Sequence, residues 1–278
     1  MTRSGTVGRS ISAGLFAIVA AVWLFPILFQ VTTSFKSLEE TYLAVQTVFP
    51  RTWTLRAFRD AFSLIPLVHF YMNSLIVAAV VTVCVLATST LAAYSFAKHR
   101  FFGKTVLFLF ILSTMMVPFQ VVMIPLYIIM KNLHLHNSYA GLILPGIGSA
   151  FGIFLMTQFM KTIPDDLIDA ARIDGVREIG IFWRVILPLS MAATATLAIF
   201  TFLWNWDSFL WPLIVTDSEK LRTLPVGMVF FQQTAGGYTI KYPHVMAISI
   251  LAMFPTTVVF LFLQKYFVKA ITLTGIKG

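Results

Sequence analysis

Residues 71–97 read YMNSLIVAAVVTVCVLATSTLAAYSFA, twenty-seven positions without an acidic, basic or histidine side chain. A bilayer core takes ~20 apolar residues, at ~1.5 Å of helical rise each, to cross. This run is long enough. Five further runs match it, near 11–31, 105–130, 138–159, 187–215 and 243–267. Core helices of a water-soluble protein would be shorter and polar on one face. The pattern predicts an all-α, polytopic transmembrane helix bundle of six spanning helices.

Composition points the same way. Of 278 residues, 58% are hydrophobic, 15% aromatic and only 11% charged, against roughly 25% charged in soluble domains. The net charge of +9 resides at the ends of the apolar blocks, where membrane proteins place basic residues. No basic stripe interleaved with exposed aromatics is present to track a phosphate backbone, so nucleic acid is not an expected partner. The single cysteine, Cys84, lies inside an apolar run, which excludes an intrachain disulfide and a thiolate metal site. Arg3 and Arg9 precede the first run. That run exceeds the ~7–15 residues of a cleaved signal's apolar region, so a retained first span is expected.

Placing the N-terminus inside puts twelve Lys and Arg residues on inner segments and eight on outer ones. The positive-inside rule then sets both termini in the cytoplasm. The expected organisation is an N-terminus over 1–10, a six-helix transmembrane domain over 11–267 and a C-terminal tail over 268–278. Pro26, Pro118, Pro125, Pro145, Pro212 and Pro255 interrupt several spans. Each frees a backbone carbonyl that neighbouring helices must satisfy, so the spans are expected to bundle. Gly148 and Gly152 form a small-xxx-small pair suited to close helix approach.

The longest inner segment, 160–186, holds Asp165, Asp166, Asp169, Asp174 and Glu178, five of the chain's eleven acids. A simple turn needs far fewer residues. Pro164 suits the first turn of a helix, and Asp165 and Asp166 follow where the helix dipole favours carboxylates. Leu167, Ala170, Ala171 and Asp174 fall at helical spacing and are expected to share a face. Gly175 stops the helix in a left-handed conformation. A second helix from Val176 to Val185 follows, closed by Pro188. Spacing alone fits two roles: a small-residue face received by a partner's cleft, or an amphipathic helix resting on the membrane.

The string Asp169-Ala170-Ala171, Asp174-Gly175, Phe182 and Ile186-Leu187-Pro188 resembles the E-A-A loop of bacterial ATP-binding-cassette importer permeases. Thr33-Ser34-Phe35-Lys36, Tyr71 with Asn73-Ser74, Trp204-Asn205, Phe209, Trp211-Pro212-Leu213 and Gln264-Lys265-Tyr266-Phe267-Val268 extend the likeness to the maltose-type second permease subunit of the carbohydrate branch. Three positions depart from that pattern. Asp169 replaces a glutamate, Val176 stands where alanine is common, and Ala270 where glycine is common.

The resemblance implies a type I importer permease in the bacterial inner membrane, transporting a sugar or sugar-like solute. It implies as partners a second permease, two ATPase subunits and an extracytoplasmic solute-binding protein. In that family the loop docks on the ATPase. Carried over, Asp169, Ala170, Ala171, Arg172, Asp174, Gly175 and Pro188 form the docking set. ATP and its magnesium are expected on the partner ATPase. Gly175 and Gly180 have the spacing of a phosphate loop, but Ile181-Phe182 stand where Lys and Ser or Thr are required. No cofactor, metal or catalytic residue is expected on this chain.

Asn73, Gln120, Gln158 and Asn205 are neutral polar groups within spans. With Trp204 and Asp207 they make the candidate substrate path. Trp204, Trp206 and Trp211 suit either a pyranose face or an interfacial anchor. Asp207, the only acid inside an apolar run, is a functional candidate by default. A secondary transporter for a small polar solute is the alternative reading, but it would want several intramembrane ionisable groups and an internal repeat. A membrane protease is disfavoured because no H-E-x-x-H motif occurs.

Overall fold

The computed structural model describes residues 3–43, 45–236 and 241–275, all of them in helices, turns and connecting segments. The helices are α1 (Arg3–Ser34), α2 (Leu38–Thr41), α3 (Arg56–Leu64), α4 (Leu67–Lys98), α5 (Lys104–Thr114), α6 (Phe119–Asn132) and α7 (Tyr139–Ile143). They continue as α8 (Ala150–Lys161), α9 (Asp166–Ile173), α10 (Glu178–Ile181), α11 (Leu187–Leu189), α12 (Met191–Trp206), α13 (Leu210–Val215), α14 (Leu224–Gly236) and α15 (Tyr242–Gly275). A 3₁₀ turn, Leu144–Gly146, precedes α8, and a π-helical segment, Phe182–Ile186, joins α10 to α11. Two compact units emerge, one from residues 1–68 and 227–254, the other from 69–226 and 255–278.

Three described helices are long and apolar enough to cross a membrane: Ser12–Ser34 within α1, Leu67–Lys98, and Tyr242–Phe262 within α15. The count reaches six if each of three bent pairs is one span. The spans expected over 105–130, 138–159 and 187–215 fall on these three bent pairs. α5 and α6 meet at 96°, because Pro118 adopts extended backbone (ψ 137°) and disfavours helical geometry at Val117 before it. The pair Tyr139–Gly146 and Ala150–Lys161 bends by 41°, where Ser149 caps α8 by accepting from the Gly152 N–H at 3.0 Å. The pair Glu178–Leu189 and Met191–Trp206 bends by 78° at Ser190, just past Pro188. α12 then ends at Trp206, and Leu210–Val215 is a separate helix rather than the end of a span.

The first unit folds its long connection between α1 and α4 back on itself. Lys36 is almost fully buried; its ammonium donates to the Thr47 carbonyl and lies 5.0 Å over the Phe29 ring. Such pairing lets a cation persist away from water. Glu40 accepts from the Arg51 N–H at 2.9 Å and the Thr47 hydroxyl at 3.0 Å. His244 Nε2 meets Asp60 Oδ2 at 2.9 Å. From Ser12 to Leu28 every residue of α1 is exposed, so that surface is left for lipid or another subunit.

The second unit holds the main apolar cluster, including Val81, Val85, Tyr94, Met156, Ile181, Phe182 and Leu197. Gly152 explains how α8 approaches so closely: a Cβ there would lie 2.5 Å from Ser89 Oγ and 3.2 Å from Leu197 Cδ1. Gly148, its expected companion, has open space around it. Only half of the small-residue pair is a packing device. Asn137, at φ 55°, accepts from the Asp217 and Ser218 N–H groups and the Ser218 hydroxyl, tying α6 and α7 to the segment after α13.

Candidate functional site

The segment after α8 forms a helix, a glycine elbow and a second helix. α9 starts at Asp166 and ends at Ile173. Pro164 lies outside it, two residues before the first helical position, so the expectation that Pro164 occupies the first turn is corrected. Gly175 follows at φ 75°, a left-handed conformation open to glycine without steric cost. Its N–H donates to the Arg172 carbonyl at 3.0 Å, and the Val176 N–H to that of Ala171 at 3.0 Å, closing the helix end. The second helix does not stop before Pro188. It runs through the π segment to Leu189, which removes Pro188 from the elbow and places it at the 78° bend.

Only part of the expected shared face stays together. Leu167, Ala170, Ile173 and Asp174 are exposed, Ile173 to 86%. Ala171 turns inward beside buried Ile168 and packs on the apolar cluster. Helical geometry explains the split: Ala171 is one position, or about 100°, from Ala170 and three from Ile168. The outward face is thus apolar and shallow at Ala170, and it is exposed among the described residues.

Charged groups hold the elbow. Lys98, whose side chain is 4% exposed, donates to the Ile163 carbonyl and to Asp165 Oδ1 at 2.7 Å. Its ammonium holds the Asp165 carboxyl below the ordinary carboxylate range, helped by Arg172 and Arg100. Arg172 reaches Glu178 Oε1 across the turn at 2.8 Å and Asp169 at 3.1 Å. Glu178 Oε2 accepts from the Tyr94 hydroxyl at 2.8 Å and lies 3.2 Å from His99 Nε2. The sequence reading overlooked Tyr94, Lys98, His99 and Glu178 as members of this site. One signal was available: Tyr94 and Lys98 are four apart and therefore share a face at the end of α4.

The residues expected along the substrate path differ in their surroundings. Asn73 is buried and fully engaged, its amide donating to the Lys220 and Arg222 carbonyls at 2.8 and 2.9 Å and accepting from the Tyr139 hydroxyl at 2.6 Å. It clamps α4 to the segment before α14, with both amide hydrogens taken by those carbonyls. Asn205 donates to Thr201 within its own helix at 2.8 Å. Trp204 is half-exposed and packs edge-on against Phe151 at 5.3 Å. Trp206 and Trp211 are buried, Trp206 against Tyr71 at 5.2 Å, Trp211 donating to the Gly141 carbonyl at 3.0 Å. Gln120, Gln158 and Asp207 are exposed. Among the described residues, no group of three or more His, Cys, Asp or Glu side chains is arranged to hold a metal ion.

Residues 87–273, which include the whole elbow, match the sequence profile of the binding-protein-dependent transport system inner membrane component. The chain belongs to this family. Among similar permeases, the arabinooligosaccharides transport system permease protein AraQ of Halalkalibacterium halodurans is 35% identical, over 95% of this chain and 94% of its own. The sn-glycerol-3-phosphate transport system permease protein UgpE of Escherichia coli is 32% identical over 90% and 91%. The permease fold also matches a chain from the crystal structure of a bacterial ABC transporter involved in the import of the acidic polysaccharide alginate. That match has a TM-score of 0.84 at 24% identity, covering 96% of this chain and 99% of the other. A second chain, from an alginate transporter in complex with an alginate pentasaccharide-bound periplasmic protein, matches with a TM-score of 0.65 at 12% identity, over 93% and 94%. Of the C-terminal tail expected over 268–278, residues 276–278 lie outside the described residues, and α15 continues to Gly275.

Proposed function

We propose that this permease is one of two homologous subunits lining the pore of an ATP-driven importer for a sugar or sugar-like solute. The observation that carries the ATP-driven part is the elbow: a glycine at φ 75° joins two helices, and Leu167, Ala170 and Ile173 stand outward and exposed among the described residues. A shallow apolar face on a braced turn suits insertion into a cleft of a separate protein. Leu167, Ala170 and Ile173 form that face, Asp169, Asp174 and Gly175 flank it, Ala171 packs its inner side, and Arg172 braces the turn. In this reading two ATPase subunits bind ATP and magnesium, close on each other, and displace the elbows. Switching a two-state pore from 1:99 to 99:1 takes ~5.5 kcal/mol of differential binding. The permease itself supplies no catalytic group. Both termini and the elbow lie on the cytoplasmic side of the inner membrane, opposite the solute-binding protein.

The solute class rests on the relatives, which are named for arabinooligosaccharides and sn-glycerol 3-phosphate, and on a structural neighbour named for alginate. Calorimetry of the companion binding protein against arabinotriose, glycerol 3-phosphate and an alginate oligosaccharide selects among them. The docking role is tested with Gly175→Asp, which puts a charge on the tip and strains the turn. Membrane insertion is expected to persist while copurification of the ATPase falls about tenfold, a loss of only ~1.4 kcal/mol of docking. Normal capture and uptake by this variant would reject the reading.

A further inference from the structure

The elbow is fastened to the rest of the permease at both of its ends, and both fastenings are on one short stretch of α4 and its exit. At the entrance, Lys98 donates to the Ile163 carbonyl and to Asp165, immediately before α9. At the far side, Glu178 opens α10 and meets Tyr94 and His99 through one carboxylate oxygen. Its other oxygen accepts from Arg172 on α9, which fixes the angle across Gly175. Tyr94 is 5% exposed, its ring tilted against Phe182 at 5.7 Å and edge-on to His99 at 4.8 Å. Were the elbow to move off α4, the Tyr94 hydroxyl would lose its acceptor in an apolar surround, which is costly for a buried polar group. By contrast, the exposed Arg172–Asp169 pair adds little.

We infer that Glu178 with Tyr94, His99 and Lys98 is a latch of positioning residues, which makes the elbow and the C-terminal end of α4 one rigid body, so that a displacement of the elbow is passed to α4. This inference rests on the docking reading above and adds to it the element that receives the stroke. Coupling through such a contact requires that both elements shift together between two states. α4 is the natural receiver. It is a single unbroken helix of 32 residues, whereas three other candidate spans are bent.

The test compares hydrogen exchange in the full complex, permease pair with its ATPases, without nucleotide and with ATP and vanadate. In the unsubstituted complex, nucleotide is expected to change exchange both at 163–178 and at 92–100. In Tyr94→Phe and Glu178→Ala the change at 163–178 persists, while that at 92–100 falls about threefold or more. Glu178→Gln keeps the planar head and an acceptor oxygen and retains most of the response at 92–100, which a purely structural role would not distinguish. Tyr94→Phe removes one oxygen from a ring that keeps its packing, so the readout survives even if Glu178→Ala assembles poorly. An undiminished response at 92–100 in Tyr94→Phe overturns the latch alone. Absence of any response at 163–178 in the unsubstituted complex overturns the docking reading, and the latch with it.

Discussion

Lys98 stands at the end of an apolar helix with its ammonium nearly out of water, and Asp165 is the charge that compensates it. Because the Asp165 carboxyl is held below its ordinary value, the sign of its contribution to stability is fixed. The contribution is complete above the ordinary carboxylate range and disappears as pH falls through the lowered value. Limited proteolysis of the 160–186 segment is therefore expected to accelerate only in the acid range, below where an unpaired aspartate would protonate. In Lys98→Met cleavage is faster at neutral pH and loses that acid step; an unchanged pH profile would contradict the pairing. Gly175 was legible from residue type and spacing, because a helix stop is a local property. The occupation of Asn73 was not. A polar residue in an apolar run reads as a solute contact until the Lys220 and Arg222 carbonyls, 147 and 149 positions away, come to meet it.

Helix existence follows from apolar length, but helix direction follows from breaks whose angles depend on packing. Pro118 and Pro145 were visible as interruptions; the bends of 96° and 41° beside them were not. A proline removes one donor and restricts its predecessor, and the neighbouring helices decide whether the result is a mild kink or a turn. The π segment Phe182–Ile186 carries no sequence mark at all, and it lets the second helix run on past the position where Pro188 was expected to close it. Gly152 gives a sharp test at this scale. Gly152→Val would press its side chain on Ser89 and Leu197, an overpacking that costs roughly 1–3 kcal/mol. Its thermal midpoint in detergent is expected to drop, while Gly148→Val, with open space around it, stays near the parent. Equal losses in the two variants would show that Gly152 does not set the approach of α8.

At the scale of the whole molecule, the exposed surface is the informative feature. Residues 12–28 of α1 are uncovered, and α5 has no buried residue along its length. Surfaces of that kind are satisfied by lipid or by other chains. Reconstituted alone in vesicles, the permease is expected to carry no labelled arabinotriose with or without ATP, and to gain uptake only with its companion permease, ATPases and binding protein. Nucleotide-independent uptake by the chain alone would contradict the coupling mechanism. The sequence by itself determined that the chain is built of membrane-length apolar helices, that an acidic, small-residue segment ends at a glycine, and that no nucleotide loop is present. These depend on transfer free energies and local backbone preferences, which can be read along a short window. Only the tertiary structure decided which spans bend, that Ala171 faces inward while Ala170 faces out, and that Tyr94 joins Glu178 from 84 positions away. Contacts between distant segments are fixed by the packing of the whole unit, and no local pattern encodes their geometry.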